Sequence, residues 1–179
     1  MKAQYGIEEH RHRFAVWAAA RAAQRGWGGA SVDNLRRALE ECGVRQFLSS
    51  CDLNSMDEAS FDTHHRSWCG KIMSCLKNLK VENVTFGRAA KLVAIHVKSV
   101  VVLGGKHETA LAGVAHPPID RTLLRRVAEE VKGARLKWKS TSWTTLDQDD
   151  YSRLIRELRT IIPEEPFWML EQYWTGTDE

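Results

Sequence analysis

Apolar residues recur along most of this chain at spacings of three and four residues, the period of an amphipathic α-helix. Residues 7–25, IEEHRHRFAVWAAARAAQR, begin with acidic residues and continue with alanines at helical spacing until GWGG stops the pattern. A second pattern follows the favourable N-cap Ser31, places Leu35 and Leu39 four residues apart, and stops at Gly43. We therefore predict two helices near the start of the chain.

The middle of the chain combines a polar connector with two further helical patterns. Residues 48–63, LSSCDLNSMDEASFDT, have no sustained period, which predicts a connector with at most one short turn. Residues 64–79, HHRSWCGKIMSCLKNL, have helical spacing. Residues 87–103, GRAAKLVAIHVKSVVVL, are predicted to form a helix that ends at the glycine pair 104–105. The β-branched run at 97–103 would also suit a buried strand.

The next part of the chain alternates irregular and helical segments. A mobile loop is predicted over 104–115, followed by an amphipathic helix over 121–132 that Gly133 ends. Residues 134–147, ARLKWKSTSWTTLD, mix basic and aromatic side chains without a regular period. We predict an irregular loop there.

The C-terminal part contains one strong helical pattern and one aromatic turn. Residues 148–162, QDDYSRLIRELRTII, begin with acidic residues and are followed by a proline. Residues 164–174, EEPFWMLEQYW, suit a short turn that buries its aromatic side chains, Trp174 included. Few strands are required, so the sequence predicts an all-α protein: one compact domain, residues 1–179, of about seven or eight helices.

Composition and charge narrow the function classes only slightly. With 179 residues, 43% of them hydrophobic and 27% charged, the chain suits one folded domain rather than a disordered segment. A net charge of +3 permits a nucleic-acid partner without requiring one. The four cysteines form no CxxC pair, and no stretch looks like a secretory signal or a membrane span. We expect a cytoplasmic monomer with free thiols and no membrane contact.

The stretch HPPIDRTLLRRV, residues 116–127, places two prolines and one carboxylate directly before a basic helix. Pro117 and Pro118 keep the approaching chain extended, and Asp120 can then accept the free N–H groups of the first helical turn. A helix cap is one interpretation of this carboxylate. An active-site residue is the other.

The same stretch resembles the motif that marks the catalytic aspartate of the helix-hairpin-helix DNA glycosylases. Residues 118–120, PID, match the family's order, and Arg125 falls at the family's arginine. Arg121 and Thr122 replace the usual Thr-His pair. The resemblance implies that Asp120 is catalytic.

A lysine in the preceding predicted helix is similar to the one that attacks the sugar in bifunctional members of this family. Asp120 follows Lys91 by 29 residues, a separation like that in the archaeal 8-oxoguanine glycosylases. That branch also lacks the full glycine hairpin, and VTFGRAAK keeps only Gly87. Alignment on Gly87 instead would put Ala89 at the catalytic position, and Lys91 would then be structural.

Helical spacing leaves two roles open for Lys91. Arg88, Lys91, Ile95 and Lys98 follow one another at steps of three, four and three, so the basic members form a stripe that could face water or phosphate. A buried amine would instead have a lowered pKa and could form a Schiff base with a sugar carbon. An ionised Asp120 could then stabilise the oxocarbenium-like centre that forms when a base leaves deoxyribose.

The resemblance covers roughly residues 84–127 and implies a glycosylase-like fold with an atypical hairpin. It implies an enzyme that flips a base out of duplex DNA and excises it, with lyase activity if Lys91 is the nucleophile. The base would be an oxidised purine or a modified base of an invading phage genome. Both DNA repair and phage defence fit that activity.

Basic and aromatic residues near these two positions are the candidates for DNA contact. RLKWKSTSWTT interleaves tryptophans with basic residues, a mixture typical of nucleic-acid surfaces. The predicted substrate- or DNA-binding residues are Gly87, Arg88, His116, Arg121, Arg125, Trp138, Lys139 and Trp143. His64, His65, Cys69 and Cys75 have neither HxxxH nor CxxC spacing, so we expect no metal and no cofactor.

Two other functions remain open at the level of sequence. The chain could be a non-catalytic nucleic-acid or protein-binding module in which Asp120 caps a helix and Lys91 contacts phosphate. It could also be a helical nuclease that uses the arginines and histidines of EEHRHRF. Base release separates the first possibility from a glycosylase.

Overall fold

The computed structural model describes residues 5–131 and 136–175 of the chain. Within these two ranges all regular structure is helical, without a β-strand, which confirms the all-α prediction. The α-helices there are α1 (Ile7–Gln24), α2 (Val32–Glu41), α3 (Val44–Ser50), α4 (Glu58–Asn78), α5 (Phe86–Val97), α6 (Ala110–Val114), α7 (Arg121–Glu130) and α8 (Gln148–Arg159). A π-helical segment, Lys98–Lys106, continues α5, and 3-10 turns cover Leu136–Ser140, Trp143–Thr145 and Phe167–Tyr173. Among the described helices, none combines the length and apolar character needed to cross a lipid bilayer.

Helix α5 lies at the centre of the fold and is apolar on nearly every side. Ala89, Leu92 and Val93 are among its many buried residues, and it packs against α1, α2, α4 and α8. A helix that is apolar all round belongs in a protein interior. Buried side chains from α1 to α8 join around it in one continuous cluster, so these helices form one compact domain.

Helix boundaries follow the prediction where a local cap determines them. The Ser31 side chain accepts a hydrogen bond from the Asn34 N–H at 3.0 Å and begins α2. Gly43, with φ at 93°, adopts the left-handed conformation that ends it. Asp147 begins α8 by accepting a hydrogen bond from the Asp150 N–H at 2.8 Å.

The prediction of a polar connector over 48–63 is wrong over much of that range. The end of α3 occupies its first residues, and α4 begins already at Glu58. The Asp57 side chain accepts a hydrogen bond from the Ser60 N–H at 2.7 Å and caps α4. In the first two turns of α4 only Phe61 is buried, and the other positions are mostly polar. The apolar residues there are therefore too few to show a helical period in the sequence.

The stretch 97–103 is helical, which excludes the strand alternative. Helix α5 passes directly into the π-helical segment, and the helical conformation breaks at Gly105, where φ is 83°. The loop predicted over 104–115 contains helix α6, whose first turn the Thr109 side chain caps. Gly133, predicted to end the helix that begins at Arg121, lies outside the described residues.

Candidate active site

Helix α5 carries a single lysine into the protein interior. Lys91 lies between the buried residues Ala90 and Leu92, and only 11% of its side chain is exposed. Its Nζ atom lies 4.4 Å from the centre of the Trp143 ring and 3.3 Å from Oδ2 of Asp120. An aromatic face and a carboxylate therefore hold the ammonium group, rather than open solvent.

Asp120 is both the N-cap of α7 and the partner of Lys91. Its Oδ1 accepts a hydrogen bond from the Leu123 N–H at 2.9 Å. Its Oδ2 accepts hydrogen bonds from Lys91 at 3.3 Å and from the Trp174 indole N–H at 3.2 Å. The two interpretations of the carboxylate are thus compatible, because one oxygen caps the helix and the other meets the lysine.

Two alternative alignments with the glycosylase motif place either Lys91 or Ala89 of α5 at the catalytic position, and these two residues lie in different surroundings. Ala89 is completely buried in the core, whereas Lys91 reaches the carboxylate of Asp120. The two residues predicted as catalytic are therefore neighbours in space, although 29 residues separate them along the chain. Ala89 has no access to this position.

A pocket of about 350 Å³ opens beside the Lys91–Asp120 pair. Its walls are formed by helix α1, helix α5 with its π-helical continuation, the extended segment 118–120 and the C-terminal 3-10 turn. Besides the pair itself, its lining includes Ala18, Arg25, Ile95, Lys98, Glu171 and Trp174. Small-molecule pockets range over about 300–1,000 Å³, so this one suits a single small ring system.

Burial and charge act in opposite directions on Lys91. Burial lowers the pKa of Lys91, because the protein interior disfavours the charged amine. The charge of Asp120 and its hydrogen bond oppose this effect, and the charge of Arg25 adds to the lowering. The net result is a pKa below the usual lysine value, which makes the neutral, nucleophilic form more accessible.

A second ion pair lies on another wall of the pocket. Lys98 donates a hydrogen bond to Glu171, and its Nζ atom lies 5.6 Å from the centre of the Trp174 ring. Burial raises the pKa of Glu171, Lys98 opposes this rise, and the charge of Asp120 adds to it. The pocket therefore contains two carboxylates and two amines in partly buried positions.

The turn at 143–146 presses against the start of α5 and positions Trp143 on Lys91. The Gly87 N–H donates to the Leu146 carbonyl oxygen at 3.0 Å, and the Thr85 hydroxyl donates to the Thr144 carbonyl oxygen at 2.7 Å. A Cβ atom at Gly87 would lie 2.0 Å from the Trp143 carbonyl oxygen. Glycine is thus required by a close approach between two backbones.

This contact speaks against the predicted binding of substrate or DNA by Gly87, because the residue is buried under the 143–146 turn. Trp138 is also buried, and its indole N–H donates to Glu157 at 3.2 Å. It belongs to the core and cannot offer its ring to a base. The physical reason is the same for both residues: other parts of the chain cover them.

His116 is buried in a polar cluster away from the Lys91–Asp120 pocket. Its Nε2 lies 2.8 Å from Asp62 Oδ1, and its Nδ1 lies 3.3 Å from the Tyr151 hydroxyl. Arg159 also donates to Asp62, at 2.9 and 3.1 Å. Burial of Asp62 opposes ionisation, but the hydrogen bonds from His116 and Arg159 outweigh it and hold the pKa of Asp62 well below its usual range. His116 therefore joins α4 to α8, which contradicts its predicted contact with substrate.

The remaining predicted DNA-binding residues lie in different surroundings. Arg88 donates to the Gly26 carbonyl oxygen at 3.3 Å, and its guanidinium lies 4.8 Å from the centre of the Trp27 ring. Arg121 is exposed at the start of α7, and Lys139 pairs with Glu129 at 3.4 Å. Arg125 is half-buried and makes contacts within the protein. Their binding to DNA stays a prediction.

The tryptophans range from buried to exposed, and Trp143 and Trp168 are partly exposed. Trp27 and Trp68 are buried like Trp138, whereas Trp17 and Trp174 are exposed. The predicted burial of Trp174 is therefore wrong. The indole of Trp174 instead covers part of the pocket and donates to Asp120.

Among the pocket residues that were not predicted as site residues, four are charged or aromatic: Arg25, Lys98, Glu171 and Trp174. One signal was available, since Lys98 follows Lys91 by two helical turns and therefore lies on the same side of α5 and its continuation. A spacing of three residues also puts Glu171 and Trp174 on one side of a 3-10 turn. No local pattern connects these C-terminal residues with Asp120.

The residues of EEHRHRF, proposed for a nuclease, are mostly engaged with one another or with the core. Arg11 and Arg13 pair with Glu8 and Glu9, each at 2.7 Å. His12 is buried and contacts other residues of the core. Within residues 5–131 and 136–175, no three His, Cys, Asp or Glu side chains gather around a common metal position.

Comparisons with known proteins find no matching family model, no similar curated protein and no similar solved structure.

Proposed function

We propose that this protein is a DNA glycosylase that excises a damaged or modified base, with Lys91 as nucleophile and Asp120 as its catalytic partner. The observation that carries the proposal is the 3.3 Å contact between Lys91 Nζ and Asp120 Oδ2 on the wall of a pocket. A lysine and a carboxylate in contact, both partly desolvated, are the groups required for Schiff-base chemistry at a sugar carbon. The substrate class follows from the resemblance of residues 118–125 to the glycosylase motif.

The proposed first step uses the proximity of the two groups. Lys91 gives up one proton to solvent, which its lowered pKa favours, and the neutral Nζ attacks C1′ of the deoxyribose as the bond from C1′ to the base breaks. The base leaves with the bonding electrons and gains a proton from solvent, while Asp120 stays an ionised carboxylate. Positive charge that develops on the sugar lies next to the carboxylate, which stabilises it.

The proposed second step explains strand cleavage. Opening of the sugar ring converts the Lys91 adduct into a Schiff base, a carbon–nitrogen double bond at C1′. Loss of a proton from C2′ then expels the 3′ phosphate and breaks the strand. A flipped-out base would occupy the pocket beside the Lys91–Asp120 pair. The pocket volume of about 350 Å³ suits one base.

One observation supports a non-catalytic module as the second candidate. Both oxygens of Asp120 already accept hydrogen bonds, from the Leu123 N–H and from Lys91 and Trp174. A carboxylate with only structural tasks would have such partners too. In that case the protein would bind nucleic acid in a salt-dependent way and release no base.

Base release, strand nicking and borohydride trapping on a panel of modified oligonucleotides test the proposal. Borohydride reduces the Schiff base to a stable amine, so a covalent adduct reports Lys91 directly. We expect wild-type protein to release a base and form an adduct, Lys91→Ala to form none, and Asp120→Asn to lose excision. Lys77→Ala removes an exposed lysine of α4 and should behave as wild type.

Three outcomes separate the candidates. Excision without an adduct would leave Asp120 catalytic and demote Lys91 to a structural residue. An adduct that survives in Lys91→Ala would place the nucleophile elsewhere. Wild-type protein that binds these oligonucleotides but releases no base would favour the binding module.

A further inference from the structure

Helix α1 exposes two large aromatic side chains next to each other. Phe14 is 57% exposed and Trp17 is 54% exposed, and their ring centres lie 5.8 Å apart with the planes inclined at 39°. Contiguous exposed aromatic surface is uncommon on a soluble protein and marks a contact site. We call Phe14, Trp17, Arg21 and Arg25 together the α1 platform.

The α1 platform borders the pocket of Lys91 and Asp120. Ala18 of α1 and Arg25, the C-cap residue directly after α1, line that pocket. Phe14 and Arg21 lie one helical turn before and one turn after Ala18, and residues at these spacings share a side of a helix. The platform therefore extends along α1 from the edge of the pocket.

Charge along α1 changes abruptly where the platform begins. Arg11 and Arg13 are neutralised by Glu8 and Glu9 in the first turns. From residue 14 to residue 25 the sequence FAVWAAARAAQR contains no acidic residue. Arg21 and Arg25 are exposed, and neither forms an ion pair with any residue of 5–131 or 136–175.

The positive field of the platform reaches the pocket itself. Arg25 is close enough to Lys91 for its charge to contribute to the lowered pKa of that lysine, after burial, the largest cause. Flat apolar rings next to unpaired arginines are complementary to a nucleic-acid strand, which offers base faces and phosphates at regular intervals. They are poorly complementary to a second copy of this chain, because a two-fold dimer through this face would bring the arginines together.

We propose that the α1 platform binds an unpaired nucleic-acid strand, whose bases stack on Phe14 and Trp17 while Arg21 and Arg25 contact its phosphates. The inference rests on the proposed function, since it assigns the platform to the strand next to the base in the pocket. Bases of an intact duplex are already stacked on their neighbours and offer no free faces. The protein should therefore prefer single-stranded or locally unpaired DNA to a fully paired duplex.

Fluorescence anisotropy with undamaged oligonucleotides tests this binding without any need for excision. The probes are a labelled single strand, the same strand in a duplex with a central mismatched bubble, and the fully paired duplex. We expect the Phe14→Ala/Trp17→Ala variant to bind the first two at least tenfold more weakly than wild type, since stacking contributes substantially for each base. Arg21→Gln/Arg25→Gln should weaken binding and reduce its dependence on salt.

Tyr5→Ala is the matched control. Tyr5 is as exposed as Phe14, at 57%, but lies outside the platform and the pocket lining. Its removal should leave all three affinities unchanged. Because every substituted residue is exposed, circular dichroism should show the same fold for all variants.

The outcomes distinguish failure of the α1 platform proposal from failure of the proposed function. Unchanged binding by Phe14→Ala/Trp17→Ala, together with excision by the wild type, would overturn the platform and leave the proposed function intact. Wild-type protein that neither binds the probes nor excises a base would overturn both. A wild-type dimer that the aromatic variant converts to a monomer, with unchanged DNA affinity, would overturn the platform by showing that the face binds a second copy.

Discussion

The Nζ atom of Lys91 lies 3.3 Å from Oδ2 of Asp120, although 29 residues separate them along the chain. The lysine belongs to the central helix α5, and the aspartate is the N-cap of α7. Packing and capping therefore fix both side chains before any ligand binds. Positioning of this kind is what a reactive pair requires.

Asp120→Ala should lower the free energy of unfolding by about 2 kcal/mol, because α7 loses its N-cap and the largely buried Lys91 loses its counter-charge. Asp120→Asn should lower it less, since the amide oxygen can still accept the Leu123 N–H. Urea unfolding measures both changes. Asp57→Ala, which removes only the cap of α4, should cost about 1 kcal/mol without affecting borohydride trapping. Unchanged stability of Asp120→Ala would contradict the capping role.

Trapping should depend on pH through Lys91. In the proposed mechanism only the neutral amine attacks, so adduct formation on DNA with a preformed abasic site should rise with pH and level off above the pKa of Lys91. Burial lowers the pKa of Lys91 below the usual lysine value, and the charge and hydrogen bond of Asp120 oppose the lowering. Asp120→Asn removes this opposition, so its midpoint should move to lower pH. A midpoint that moves upward would contradict the ion pair.

Gly87→Ala should destabilise the protein and impair the pocket together. The new Cβ would lie 2.0 Å from the Trp143 carbonyl oxygen, so the turn that carries Trp143 must move. Overpacking of this kind costs about 1–3 kcal/mol. Thermal unfolding and trapping measure the two effects. Gly70→Ala on α4 is the control, because a Cβ there meets no atom within 4 Å. A fully stable, fully active Gly87→Ala would show that the contact is dispensable.

Asp62→Asn should lower the free energy of unfolding by about 2 kcal/mol, because Arg159 loses the half-buried carboxylate that accepts two of its hydrogen bonds and keeps only the more exposed Glu58, at 3.5 Å. Fully buried pairs lose more, but the Asp62 side chain is 33% exposed. Equilibrium urea denaturation gives the value. Asp33→Asn, which breaks an exposed pair with Arg36, should change stability by less than about 0.5 kcal/mol. Similar effects of the two substitutions would contradict a structural role for the His116 cluster.

His96 should make the fold sensitive to mild acid. Burial lowers the pKa of His96 to about 3, and the charges of His12 and Arg45 add to the effect. Below about pH 6.5, His96 binds a proton in the unfolded chain but stays neutral in the folded protein. The free energy of unfolding therefore falls as the pH drops towards the pKa of folded His96, by up to about 1.4 kcal/mol per pH unit. His96→Gln should flatten the fall between pH 6.5 and 4.5. An equally steep fall in that variant would assign the sensitivity to His65 and His116, whose pKa values burial also lowers.

Local signals predicted the long helices and missed the short ones. Caps such as Ser31 and Asp120 act within three residues, so the sequence alone contains the whole interaction. Val44–Ser50 and Ala110–Val114 are too short to be stable from their own propensity and depend on packing against the core. Each segment is also too short for its apolar residues to show a clear helical period in the sequence.

By itself, the sequence determined the all-α fold, most helix boundaries and the identity of the Lys91–Asp120 pair, since periodicity, caps and a short motif are all local. Only the tertiary structure decided that the two residues touch and that Trp174 and Glu171 complete their pocket. It also decided that Gly87 meets a backbone turn rather than a phosphate. These relationships depend on how distant helices pack, and no spacing along one segment records the distance between two segments.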